Sequence, residues 1–271
     1  MIKTLLSIIL TIFIVELSAQ SASVSPSRLY YKVAPGGYKS QAIKVTNNGD
    51  KLQTFKVDFA DFNAPGNKGK TEVMKEGESN ERGCSKWLSA SPSFFEIATG
   101  GTKDIEILLQ LPNTPEANKA RWAVGIVKLT QENVGGGEKG SDVVGMRIIQ
   151  SFQFVIHIFQ TPPSVVYKEA SVIKFYRDTL ASDSAVSLKM EVANTGETII
   201  DCAPYLDVIN TANGEKTNIK VKGFTVLPGG EREIRFYLPA DIKKGKYNIL
   251  GVVDYGSDTD IAGAELNIII K

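Results

Sequence analysis

The sequence predicts an all-β protein built as two sandwich domains in tandem. Three observations predict it. Short apolar segments alternate at period two, helical periodicity is nearly absent after the first twenty residues, and one set of three landmarks occurs twice in the same order.

The alternation is clear in Ala42-Ile43-Lys44-Val45, Thr54 to Phe59, Ile105 to Leu109 and Glu233-Ile234-Arg235-Phe236. Each such segment offers one face to a core and one to water, as half-buried antiparallel strands do. Clusters of Gly, Pro, Asn and Asp separate the segments at the spacing of a sandwich or barrel.

The chain begins with a targeting segment. Lys3 gives a positive start, Leu5 to Val15 is an apolar run, and Leu17 to Ala22 is rich in small residues. This is the layout of a secretory signal peptide over residues 1–20, cleaved within 19–22. The run is short for a membrane span, no cysteine follows it for a lipid anchor, and no second apolar run lies near Lys271. A soluble exported protein is expected, with the periplasm as its compartment.

The repeat sets the domain count. Val45-Thr46-Asn47-Asn48-Gly49-Asp50 recurs as Val192-Ala193-Asn194-Thr195-Gly196-Glu197. Gly100-Gly101-Thr102-Lys103-Asp104-Ile105 recurs as Gly229-Gly230-Glu231-Arg232-Glu233-Ile234. Arg121 to Val127 recurs loosely as Lys246 to Val253. Asn-x-Gly is read as a strand end whose Asn and Gly tolerate left-handed backbone, and Gly-Gly as a chain reversal. Tyr247, opening an apolar strand, resembles the tyrosine corner of immunoglobulin-like folds. Trp122 holds the same place in the first half, and a plain core role for both aromatics leaves the fold unchanged. The fold class is therefore two tandem immunoglobulin-like β-sandwiches.

Spacing locates an insertion. Gly49 to Gly101 is 52 positions and Gly196 to Gly230 is 34, an excess of 18 that matches the polar stretch Asn63 to Gly83. That stretch is read as a surface loop inserted in the first domain. Gln160-Thr161-Pro162-Pro163-Ser164 marks the boundary, because two prolines stiffen a connector and end a ladder. The domains are then 21–161 and 162–271.

Composition excludes several functions. The 271-residue chain is 42% hydrophobic and 23% charged with net charge +1, so no global field attracts nucleic acid. No basic stripe with interleaved aromatics is present, so no nucleic-acid partner is expected. The single histidine, His157, lies in an alternating strand segment with no nucleophile nearby. Two cysteines, Cys84 and Cys202, fall in different domains and are read as separate thiols. With one histidine, a transition-metal site is not expected. Gly135 to Ser141 lacks the spacing of a phosphate loop, and Asp254, Asp258 and Asp260 lack the pattern of a calcium loop. No enzyme activity, cofactor or metal is expected.

Ser27-Arg28-Leu29-Tyr30-Tyr31, Lys44-Val45-Thr46-Asn47-Asn48, Ser91 to Ile97 followed by Gly100-Gly101, and Ile156-His157-Ile158-Phe159 before Pro162 form an ordered set. Through them the first domain resembles PapD-type periplasmic pilus chaperones. The second domain is similar to generic bacterial immunoglobulin-like modules. The resemblance implies that a first-strand arginine and a last-strand lysine anchor the C-terminal carboxylate of a bound subunit. Arg28 falls on the arginine position, with an exposed residue at a strand start as the competing reading. The lysine position falls on His157, a departure, since a neutral imidazole grips an anion poorly.

The resemblance also implies that the last strand pairs with the subunit and offers it alternating apolar side chains. Met146, Ile148, Phe152, Phe154, Ile156 and Ile158 share one parity here. Two readings of them stand together. They line an exposed edge for strand addition, or they fill the first domain's own core. The expected partner-binding residues are Arg28, Tyr30, Ile148, Phe152, Phe154, Ile156 and His157. The expected function is a periplasmic chaperone or assembly factor. The alternative is a structural or accessory subunit of an outer-membrane secretion, gliding or adhesion complex. The partner in either case is another protein.

Overall fold

The computed structural model describes residues 21–130, 152–178 and 186–271. The targeting segment, Met146, Ile148 and the glycine run at 135–141 lie outside the described residues. The first half contains β1 (Ala22–Ser25), β2 (Arg28–Tyr31), β3 (Tyr38–Asn47), β4 (Gln53–Ala60), β5 (Phe62–Asn63), β6 (Glu72–Val73), β7 (Leu88–Ser91), β8 (Phe94–Ile97), β9 (Thr102–Gln110), β10 (Arg121–Thr130) and β11 (Gln153–Gln160). The second half contains β12 (Ala170–Asp178), β13 (Ser187–Asn194), β14 (Ile200–Asn210), β15 (Lys216–Lys220), β16 (Phe224–Val226), β17 (Glu231–Tyr237), β18 (Gly245–Asp254) and β19 (Ala262–Ile270).

Each half is a two-sheet sandwich. In the first, the sheet β1-β3-β9-β7 faces the sheet β2-β11-β10-β4-β8. In the second, β12-β13-β17 faces β15-β14-β18-β19, with β16 also paired to β14. Period-two alternation fills both cores. Ile43, Val45, Ile105, Ile107 and Leu109 point into the first, and Leu188, Met190, Val192, Ile234 and Phe236 into the second. Cys84 and Cys202 are free thiols buried in the two separate cores.

Proline sets where strands leave one sheet for the other. β1 pairs antiparallel with β3, Pro26 follows, and β2 then pairs parallel with β11 in the opposite sheet. β7 pairs with β9, Pro92 follows, and β8 pairs with β4 in the opposite sheet. A residue without an N–H breaks the ladder at both corners.

The repeated landmarks are the same construction twice, with a correction to the Asn-x-Gly reading. Neither Asn47, Asn194, Gly49 nor Gly196 has left-handed backbone. Instead the asparagine side chain is a buried staple. Asn47 Nδ2 donates to the carbonyls of Lys51 (2.7 Å) and Ile97 (2.9 Å), and its Oδ1 accepts from Gly49 N (2.8 Å). Asn194 Nδ2 donates to Thr198 (2.9 Å) and Val226 (3.0 Å), and its Oδ1 accepts from Gly196 N (3.0 Å). The left-handed positions fall on Gly100 and Gly229, at φ 68 and 74. The Tyr247 hydroxyl donates to the Lys243 carbonyl at 2.9 Å, which is the tyrosine-corner bond. Trp122 differs, since its indole N–H donates to the Phe62 carbonyl at 3.0 Å at the root of the insert.

The stretch from Asn63 to Gly83 is anchored at both ends. Phe62 and Asn63 pair with Val73 and Glu72, and Met74 N donates to the Asp61 carbonyl. Its tip crosses to the second sandwich, where Glu233 N donates to the Asn67 carbonyl at 2.6 Å. Beneath it a small apolar cluster joins the halves: Phe62, Trp122, Val124, Ile126 and Phe159 pack with Leu227. No described helix is long and apolar enough to cross a membrane.

Candidate functional site

The junction of the two sandwiches is built by β2 and β11. Their parallel register sets Arg28 beside His157, and His157 N donates to the Ser27 carbonyl at 3.0 Å. Direct pairing therefore places the two residues side by side. Arg28 is exposed and faces a cavity of about 120 Å³, lined also by Thr71 and His157 from the first sandwich and by Thr225, Glu231 and Arg232 from the second.

His157 is half-buried and engaged. Its Nε2 lies 2.9 Å from Thr71 Oγ1 of the insert, and its ring meets Phe62 edge-on at 5.3 Å. Burial first, and then the Arg28 charge, lower its pKa below the ordinary value. The imidazole is neutral near pH 7 and adds no cation beside Arg28. The linkage follows from that direction. The unfolded chain takes up a proton below about pH 6.5 while the folded chain resists it, so stability falls as pH drops from there toward the folded pKa. His157→Gln is expected to flatten this slope in urea denaturation followed between pH 7.5 and 5. An unchanged slope would remove His157 as its cause.

Tyr30 is 45% exposed, and its hydroxyl donates to Asp201 Oδ1 of the second sandwich at 3.3 Å. Burial, followed by the Asp201 charge, raises its pKa. The same Asp201 oxygen accepts from Thr225 Oγ1. Tyr30 thus ties the halves together through Asp201, whose other partner, Thr225, lines the cavity.

Of the remaining predicted residues, Ile148 lies outside the described residues, Phe152 just precedes β11, and Phe154 and Ile156 lie on it. Phe152 is 39% exposed, Phe154 is partly buried against the first core, and Ile156 is 2% exposed within it. Ile156 and Ile158 fill the sandwich that carries them. On the side away from β10, β2 covers β11 only from His157 to Gln160. Gln153 to Ile156 have no strand on that side among the described residues.

Sequence reasoning missed Arg232, Thr71 and Asp201. Arg232 was visible only as part of a landmark. Its counterpart in the first repeat is Lys103, and each cation rests over a phenylalanine: Arg232 over Phe224 at 5.4 Å, Lys103 over Phe95 at 5.7 Å. Register identifies the equivalence, but only the packing of the two halves shows which of the two faces the junction. Among the described residues there is no group of three or more His, Cys, Asp or Glu arranged to hold a metal.

No protein-family model matches the chain, and no curated protein matches it. Among solved structures, the chain is similar to one from a chaperone–tip adhesin complex of CFA/I fimbriae, at 12% identity and TM-score 0.48, covering 92% of this chain and 98% of that one. It is similar to the E. coli chaperone DraB at 16% identity and TM-score 0.46, covering 91% and 98%. It is also similar to a chain of the Salmonella enterica SafA pilin–SafB chaperone complex at 10% identity and TM-score 0.45, covering 92% and 97%.

Proposed function

We propose that this chain is an exported chaperone or assembly factor of the periplasm that holds client proteins by strand addition to β11. The observation that carries the reading is the edge of Gln153 to Ile156, bare among the described residues, which ends where β2 begins, beside Arg28. A bare edge offers backbone donors and acceptors to an incoming strand. Phe152, exposed at the start of that edge, offers apolar contact, and the Arg28 fork suits a carboxylate at the end of the client chain. This is the arrangement that the sequence resemblance implies, with His157 in place of the lysine.

The test is capture of a secreted or surface subunit encoded beside this protein, co-expressed with it and recovered on the tagged mature chain. Arg28→Ala and Phe152→Asp are each expected to lower recovery at least about tenfold, the scale of a lost charge-assisted contact or a disrupted strand contact. Phe154→Asp is expected to do the same, but it also disturbs the core it packs on. Undiminished recovery with both Arg28→Ala and Phe152→Asp would sink the reading.

One observation favours a second reading, a rigid spacer within an envelope complex. The apolar cluster around Leu227 and the insert's bond to Glu233 fix the two sandwiches against each other. A spacer would appear as a stoichiometric complex that does not exchange with added free protein, whereas a chaperone exchanges.

A further inference from the structure

The junction cavity holds two guanidinium groups from opposite sandwiches, Arg28 and Arg232. Neither makes an ion pair with a carboxylate among the described residues. Glu231 lines the same cavity without pairing to either. Two like charges sharing a partly enclosed space repel one another, and an oxyanion between them removes that cost. Burial first, and then the Arg28 charge, lower the Arg232 pKa.

Arg232 is held in place for this. Its guanidinium lies over the Phe224 ring at 5.4 Å and against Gly69 at the tip of the insert. Gly69 has φ +63, and a Cβ there would fall 1.2 Å from Arg232 Nη1. A glycine is therefore needed twice over, for its backbone and for the close approach. The matching cation of the first repeat, Lys103, also rests over a phenylalanine, so the ring contact belongs to the repeated fold. Facing a second arginine across the junction belongs to Arg232.

We infer that Arg28 and Arg232 form a clamp for one carboxylate that spans the two sandwiches, with the insert seating the second arm through Gly69. The inference rests on the client-binding reading for the origin of the carboxylate, and it supplies the second cation that His157 does not. A carboxylate has acceptor sites for two planar forks. A space of 120 Å³ admits such a group with its nearest waters and is below the size of an ordinary cofactor pocket, about 300 Å³ or more. Thr71 and Thr225 line the same space, with their hydroxyls bonded to His157 and Asp201.

The test uses the full mature chain with acetate as probe, following the arginine Nε–Hε resonances by NMR. The Arg28 and Arg232 signals are expected to shift together along one binding curve. Arg232→Ala is expected to weaken the Arg28 response at least about tenfold, and Arg28→Ala to do the same to Arg232, as for two arms on one anion. Arg232→Lys, which keeps the charge and the stem, is expected to retain part of the response. Gly69→Ala is expected to weaken it by displacing the guanidinium while the Arg28 signal stays dispersed. A shift of one arginine alone, or an Arg28 response indifferent to Arg232→Ala, would overturn the clamp. Inorganic phosphate bound more tightly than acetate would overturn its assignment to a carboxylate. Acetate binding to both arginines with client recovery unaffected by both Arg28→Ala and Phe152→Asp would keep the clamp and reject the client reading, so the two proposals fail separately.

Discussion

Replacing Asn47 or Asn194 by alanine is expected to destabilise its own sandwich by about 3 kcal/mol. Both side chains are buried, at 0% and 1% exposure, and each makes three hydrogen bonds to backbone. Alanine would take the side-chain donor from two carbonyls in each turn and, at Asn47, the acceptor from Gly49 N, while Gly196 N keeps the Glu169 carbonyl. Aspartate tests the mechanism more sharply than alanine. It keeps the shape and the acceptor for Gly49 or Gly196, but sets a second oxygen against two carbonyl oxygens, so the loss should equal or exceed that of alanine. Equilibrium urea unfolding of each variant measures the effect, and losses under about 1 kcal/mol would show that the staples are incidental.

The second large effect is expected at Trp122. The side chain is 7% exposed, its N–H is bonded to the Phe62 carbonyl, and it packs in the cluster that includes Leu227. Trp122→Ala should cost about 3–5 kcal/mol through the cavity alone. It should also loosen the root of the insert, because Phe62 loses one of its two donors, keeping Asn80 Nδ2, and an apolar neighbour with it. Calorimetry of the variant is expected to show two separated transitions, and the Glu233 amide, which donates to Asn67 in the insert, is expected to exchange faster with solvent. Trp122→Phe keeps most of the apolar area and loses only the N–H, so it should cost about 1–2 kcal/mol. A single transition with unaltered Glu233 protection in Trp122→Ala would show that the junction does not depend on this residue.

The two-sandwich fold was legible because alternation is a local property. Ile43, Val45, Ile234 and Phe236 point inward as their spacing requires. The repeat was legible for the same reason, since Asn-x-Gly and Gly-Gly are short. The physical basis of Asn47 and Asn194 was not, because their partners Ile97 and Val226 are 50 and 32 residues away in sequence. At the site, Arg28 and His157 could be placed by resemblance, and β2–β11 pairing sets them side by side. Along β11, parity identified which face Phe154, Ile156 and Ile158 share, but alternation alone could not separate a client-facing row from a core row. The structure places Ile156 and Ile158 in the core. Arg232 and Thr71 escaped notice because nothing in a polar insert or a Gly-Gly turn signals docking onto another domain. Only tertiary packing brings Asn67 to Glu233 and Gly69 to Arg232.

The strand switch at Pro26 has a bearing on selection. Under the proposed reading, β2 and an incoming strand compete for one flank of β11, and β2 already holds the part from His157 onward. A visitor advancing from Gln153 meets a fixed stop at Ile156, and its tail halts beside Arg28. The protein would then gauge where a polypeptide finishes and not what it spells. A tail extended by a few residues past that stop would have to peel β2 away before it could settle.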